Sequence, residues 1–144
     1  MKNILLVGAG NRAYELFIKP MNTESYQDSI IVGVYDTNIK RAAYLCSLAP
    51  YTIPVISSIE EISEIVNLEL IIIMTPDYTH EPLISYFLEH TLADIVCEKP
   101  LCTTLDQARF LYSLSPESKD RISVLLNSRF MPISCWLIRI TVFM

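Results

Sequence analysis

The sequence predicts an α/β domain built on a doubly wound parallel sheet, and three observations carry that prediction. Short apolar runs rich in β-branched residues alternate with stretches of helical period along most of the chain. Strands and helices in that order imply right-handed crossovers and an open parallel sheet covered on both faces. The run Leu68-Glu69-Leu70-Ile71-Ile72-Ile73-Met74 is almost continuously apolar, as a strand buried on both faces must be. Finally, the polar clusters at 8–13, 36, 75–80 and 98–100 each follow the end of such a run. Ligands of open parallel sheets sit outside the carboxyl ends of the strands, so these clusters are the candidate site.

The first strand is Ile4-Leu5-Leu6-Val7, which passes directly into Gly8-Ala9-Gly10-Asn11-Arg12-Ala13. A helix follows through Tyr14, Leu16, Phe17 and Ile18. Strand, glycine-rich turn and helix in this order fit the fingerprint G-x-G-x-x-G/A of a Rossmann-like, dinucleotide-binding turn, with Ala13 in the third place. Gly8 permits the tight turn, Gly10 lets backbone approach a pyrophosphate, and small Ala13 lets the helix pack on the strand. The helix N-terminus offers free N–H groups and partial positive charge to the phosphates. The second strand, Ile30 to Tyr35, ends in Asp36, where a carboxylate would grip the ribose of the adenosine half. A loop over Met21 to Asp28 absorbs a spacing longer than the usual ~20 residues.

Apolar residues at Ile39, Ala42, Ala43, Leu45, Cys46 and Leu48 predict a helix over Asn38 to Leu48, stopped by Ala49-Pro50. A short strand over Thr52 to Val55 follows. Ser57-Ser58 then reads as the cap of a helix with Glu60 and Glu61 in its first turn and a stripe at Ile59, Ile62, Ile65 and Val66. After the central strand, Thr75-Pro76-Asp77-Tyr78-Thr79-His80-Glu81-Pro82 breaks the pattern and leads into a helix through Leu83 to Leu88, with Thr79 as cap and Pro82 in its first turn. Asp94 to Cys97 is a short strand ended by Glu98-Lys99-Pro100. Thr103 or Thr104 caps a helix running to about Leu114, and Ile122 to Leu126 forms the last strand.

With 144 residues, 51% hydrophobic and 19% charged, the chain is long enough for one well-packed domain. A net charge of -5 and scattered basic residues argue against a nucleic-acid surface. Cys46, Cys97, Cys102 and Cys135 form no C-x-x-C pair, and His80 and His90 are the sole histidines, so no metal site is expected. No run reaches the ~18 apolar residues of a membrane helix. With no signal peptide to read, the expected compartment is the cytoplasm and the thiols are expected to be free.

The residues GAGNRA at 8–13, Asp36, TPDYTH at 75–80 and above all CEKPL at 97–101 resemble the N-terminal domain of the Gfo/Idh/MocA oxidoreductases. The likeness spans about residues 2 to 132. It implies that NAD, with NADP as the second choice, binds this domain and exchanges hydride with a sugar, polyol or related substrate. It places Gly8, Gly10, Asn11 and Arg12 at the phosphates, Asp36 at the adenosine ribose, and Thr75, Pro76 and His80 along the cofactor's path. Glu98 and Lys99 then stand at the nicotinamide ribose and the reacting carbon. Lys99 is the implied catalytic residue, because an ammonium there can hydrogen-bond a substrate hydroxyl and stabilise developing alkoxide charge. The family likeness also implies a cis bond before Pro100, aiming Lys99 into the cleft. Asp36 favours NAD, since a carboxylate repels a 2'-phosphate; Lys40 and Arg41 weaken that preference. His80 has two readings, a hydrogen bond to the next helix's first turn or a cofactor contact, and Asp77 reads as a helix cap.

The likeness divides the chain at residue 132. Residues 1–132 form the dinucleotide-binding domain. Residues 133–144 are an atypical apolar tail, expected from a truncation or a shifted reading frame, where relatives continue into a substrate domain. The tail would pack on the domain, pair with another copy or aggregate. Two functions follow: an oxidoreductase whose substrate pocket another chain completes, or a dinucleotide-binding module without catalytic activity of its own.

Overall fold

A computed structural model describes residues 2–21 and 28–125 of the chain. Its strands are β1 (Lys2–Val7), β2 (Ser29–Tyr35), β3 (Val55–Ile56), β4 (Leu70–Ile73), β5 (Asp94–Glu98) and β6 (Ile122–Leu125). They form one sheet in the order β3-β2-β1-β4-β5-β6, and each neighbouring pair is parallel. The doubly wound sheet predicted from the alternation is the sheet observed. The loop at 22–27, Leu126 of the last predicted strand, Cys135 and the tail at 133–144 lie outside the described residues.

Alternate side chains of each strand point to opposite faces, and the inner strands bury both. On one face Leu6, Ile31, Val34 and Ile72 pack with Ala13 and Ile18 from the first helical segment and with Ala42 and Leu45 of α3 (as labelled below). On the other, Leu5, Val7, Ile71, Ile73 and Ile95 pack against Ile84 and Phe87. Continuous apolar runs are the consequence, because neither parity of residue reaches water.

The first helical segment comprises α1 (Asn11–Ala13), a π-helical turn over Tyr14–Ile18 and α2 (Lys19–Met21). Pro20 accounts for the wide turn. Proline has no N–H for the carbonyl four residues back, and its ring crowds that carbonyl, here Leu16. The Lys19 N–H reaches instead to the Tyr14 carbonyl. The helix α3 (Ile39–Ser47) is capped by Asn38, whose side chain accepts from the Lys40 and Arg41 N–H groups. Further on come α4 (His80–His90), α5 (Leu105–Ser113) and α6 (Pro116–Asp120). Thr104 caps α5, accepting from the Gln107 N–H at 3.2 Å.

Two details differ from the sequence reading. Residues Glu60–Glu64 form a 3-10 helix rather than an α-helix. The spacing of Ile59, Ile62 and Ile65 is a strict three, the period of a 3-10 turn. Ile62 is buried there, while Val66, counted with the stripe, is 78% exposed. Thr79 precedes α4 without capping it. Its hydroxyl contacts the Pro76 carbonyl and Thr75 Oγ1, both at 2.6 Å, and so closes the loop after β4 on itself. A third feature, α6, is one the alternation passes over. Ser115 caps it and Pro116 opens it, a start signal in only five helical residues.

Candidate functional site

The register of the sheet brings the candidate residues to one edge. Val7 lies opposite Ile73, and Ile73 opposite Cys97, so β1, β4 and β5 end at one level. Chain direction diverges here: β1 continues outward to β2 and β4 to β5. This is the topological switch point where open parallel sheets hold their ligands.

Gly8 begins the turn with φ +100°, and a Cβ there would stand 2.5 Å from the Met74 carbonyl oxygen. Backbone alone fits, so this glycine answers to the fold. Its N–H donates to the Tyr35 carbonyl, and the Met74 N–H to the Val7 carbonyl, both at 2.8 Å. Gly10 differs: a Cβ there would meet nothing within 4 Å. The protein does not require glycine at this position, but a ligand approaching the backbone would.

Asp36, whose side chain is 9% exposed, accepts from the Ala9 N–H through Oδ2 and from the Asn38 N–H through Oδ1, each at 2.8 Å. It therefore ties the glycine turn to the start of α3, with the Arg41 guanidinium 3.9 Å from Oδ2. Gly8, Gly10, Asp36, Thr75 and Pro76 line one cleft of about 880 Å³. Tyr35, Thr37, Arg41 and Tyr78 also line it. Of these, Arg41 had a signal in sequence, as a cation five residues after the strand-ending carboxylate. Tyr78 had none, because its exposure depends on how the loop after β4 closes.

The other candidate residues stand apart from that cleft. Asn11 lines a neighbouring groove of about 620 Å³ with Ala9, Tyr14 and Tyr44. Arg12 turns to the strand ends, its Nη2 2.9 Å from Glu98 Oε1. Glu98 is 8% exposed. Its Oε1 takes the Arg12 charge without a directed hydrogen bond among the described residues, and its Oε2 accepts the Lys99 N–H at 3.2 Å. Lys99 is exposed, and the Lys99–Pro100 bond is cis, as the family likeness implies. His80 is fully buried and off the cleft wall. Its Nδ1 lies 2.6 Å from the Pro100 carbonyl oxygen and its Nε2 2.8 Å from that of Thr75.

Beside Glu98, burial pushes the Cys97 thiol up to about 12, with the Glu98 carboxylate adding to the effect. It is a packing residue and not a nucleophile. Among the described residues no helix is long and apolar enough to cross a membrane.

A dinucleotide fits this arrangement on two grounds. The open approach at Gly10 is a cradle that any Cβ would fill, and the cleft continues from it to Asp36 on one side and Thr75 on the other. Known proteins agree. The Bacillus subtilis protein YteT, named as an oxidoreductase, is 29% identical over 136 residues, which is 92% of this chain and 32% of YteT. A solved myo-inositol dehydrogenase from Corynebacterium glutamicum superposes with a TM-score of 0.81 at 22% identity, over 98% of this chain and 41% of the other. The Lactobacillus casei myo-inositol dehydrogenase, solved with NAD(H) and myo-inositol, gives 0.75 at 18% identity, over 92% of this chain and 38% of the other. The chain thus spans about a third of its curated relative's length. The model of the oxidoreductase family with an NAD-binding Rossmann fold matches residues 2–126, so the chain belongs to that family, the Gfo/Idh/MocA oxidoreductases.

Proposed function

We propose that this chain binds NAD, in preference to NADP, as the dinucleotide domain of an oxidoreductase acting on a sugar, polyol or related substrate. The observation that carries the reading is Gly10, a glycine the fold does not need, opening onto the cleft at the switch point. In this reading the N–H groups of the turn and Asn11 meet the pyrophosphate, while Asp36 receives the adenosine ribose on its remaining lone pairs. Thr75 and Pro76 form the opposite wall, and Glu98 and Lys99 stand at the nicotinamide end. The Asp36 carboxylate supports NAD by opposing a 2'-phosphate, and Arg41 beside it keeps the preference modest.

When bound, the cofactor supplies a hydride acceptor or donor. Lys99 would hydrogen-bond the substrate hydroxyl and stabilise alkoxide charge as the bond to hydrogen breaks. Glu98 holds the Lys99 backbone, and Arg12 holds Glu98. The relatives are about three times longer, which supports a second reading: a binding module that turns over only when another chain completes the substrate pocket. The division at residue 132, self-association through the apolar tail and a cytoplasmic setting belong to the same proposal. Light scattering of the full chain tests the association.

Calorimetric titration with NAD and NADP, on the native chain and on Gly10→Asp and Lys99→Ala, tests the reading. The expected result is NAD binding that Gly10→Asp weakens by about 100-fold, because its carboxylate would face the pyrophosphate, and that Lys99→Ala leaves nearly unchanged. Binding insensitive to Gly10→Asp would contradict it. Turnover with polyols by the chain alone would set aside the second reading.

A further inference from the structure

Two loops meet at His80. Its buried ring lies between the Thr75 carbonyl of the loop after β4, at 2.8 Å, and the Pro100 carbonyl of the loop after β5, at 2.6 Å. Carbonyl oxygens only accept. A neutral imidazole has one N–H, so one of these contacts would set a ring lone pair against a carbonyl lone pair at hydrogen-bond distance. An imidazolium has an N–H on each nitrogen and satisfies both. The spacing is also that of charge-assisted bonds, which shorten to ~2.7–2.9 Å.

We propose that His80 is a doubly protonated positioning residue, a two-headed donor that fastens the cleft wall at Thr75 to the Lys99-Pro100 segment. The consequence for Lys99 is specific. Its N–H is held by Glu98 Oε2 on one side, and the carbonyl of the next residue is held by His80 on the other. Glu98 is the one other buried polar or charged side chain among the described residues, so the two buried polar groups both act on Lys99's neighbourhood. The charged residues on the joined segments are Asp77 and Glu81 beside His80, and Glu98 and Lys99 across from it. The positioning consequence rests on the dinucleotide reading above, whereas the protonation of the ring does not.

The chain has two histidines, so His90→Gln leaves His80 as the single imidazole. His90 is exposed and stacks on Tyr86, away from the cleft. Nitrogen-15 NMR of that variant at neutral pH should show a directly bonded proton on both ring nitrogens. One protonated and one bare nitrogen would overturn the proposal, whatever the chain binds. His80→Gln, which cannot donate in two opposite directions, should weaken NAD binding by about tenfold, a change of ~1.4 kcal/mol. A folded His80→Gln chain with unchanged NAD affinity would overturn the positioning role. If the native chain binds no NAD, the proposed function fails instead, and the ring-proton count still decides this inference.

Discussion

Gly8 and Gly10 lie two residues apart in one fingerprint yet answer to different demands. Gly8 combines a φ of +100° with a Met74 carbonyl 2.5 Å from any Cβ. Gly8→Ala should therefore cost about 3 kcal/mol in urea unfolding, the sum of left-handed backbone strain and overpacking. Gly10→Ala should change stability by no more than about 0.5 kcal/mol, because nothing stands in its way. Equal losses in the two variants would contradict the assignment. The motif made both glycines legible, but not this division of labour, which depends on β4 arriving beside β1 from far along the chain. Asp36 teaches the same lesson. Its position at the strand end was readable, whereas its bond to the Ala9 N–H spans 27 residues and appears only when β1 and β2 pair. Cys97 offers a test by pH. Its folded thiol is raised to about 12 by burial, whereas an unfolded thiol ionises near ~8.5. Below ~8.5 both states hold the proton and the contribution is complete; above it the unfolded state alone releases the proton. Stability should then fall by about 1.4 kcal/mol per pH unit between ~9 and ~11, and Cys97→Ala should flatten that slope. The phenols of Tyr35 and Tyr51, raised by burial, act in the same direction at higher pH. An identical slope in Cys97→Ala would contradict the account.

At the scale of elements, strands were legible and helix geometry less so. Burial on both faces writes a parallel strand into sequence as an unbroken apolar run, and β1, β2, β4 and β5 each fall on such a run. The π turn at Tyr14–Ile18 and the 3-10 turn at Glu60–Glu64 depend on a proline's missing donor and on a three-residue spacing, which a helical-period reading merges with α-helix. Side chains that finish an element from a distance left no sequence signal. The Tyr51 hydroxyl accepts the Ile31 N–H at 2.8 Å, occupying β2 where two-residue β3 does not reach. Arg121 donates to the carbonyls of Leu88, Thr91 and Ala93, the closest at 2.8 Å, and so gathers the carbonyls at and just beyond the end of α4. Arg121→Met should cost about 2 kcal/mol in urea unfolding with an unchanged denaturant slope, since it leaves partly buried carbonyls unpaired. A loss below about 0.5 kcal/mol would show that water replaces the guanidinium without penalty.

For the whole molecule, the sheet does the placing. Three strands ending at one level carry the glycine turn, the loop of Thr75 and the segment of Lys99 to a common edge, and the order β3-β2-β1-β4-β5-β6 opens a cleft between two of them. The gathering of these clusters was legible because strand-end residues of a parallel sheet share one edge. Which of them share one wall was not. Asn11, Arg12, His80 and Lys99 stand outside the cleft that holds Gly10 and Asp36, with Arg12 committed to Glu98 and His80 to two carbonyls. The central claim is that the chain receives NAD at this switch point, and amide NMR during an NAD titration of the full chain tests it most directly. The account predicts shifts concentrated at Gly8, Ala9, Gly10, Thr37 and Thr75. Shifts gathered at the opposite end of the sheet, around Asn67 and Glu89 to Leu92, or none at saturating NAD, would contradict it.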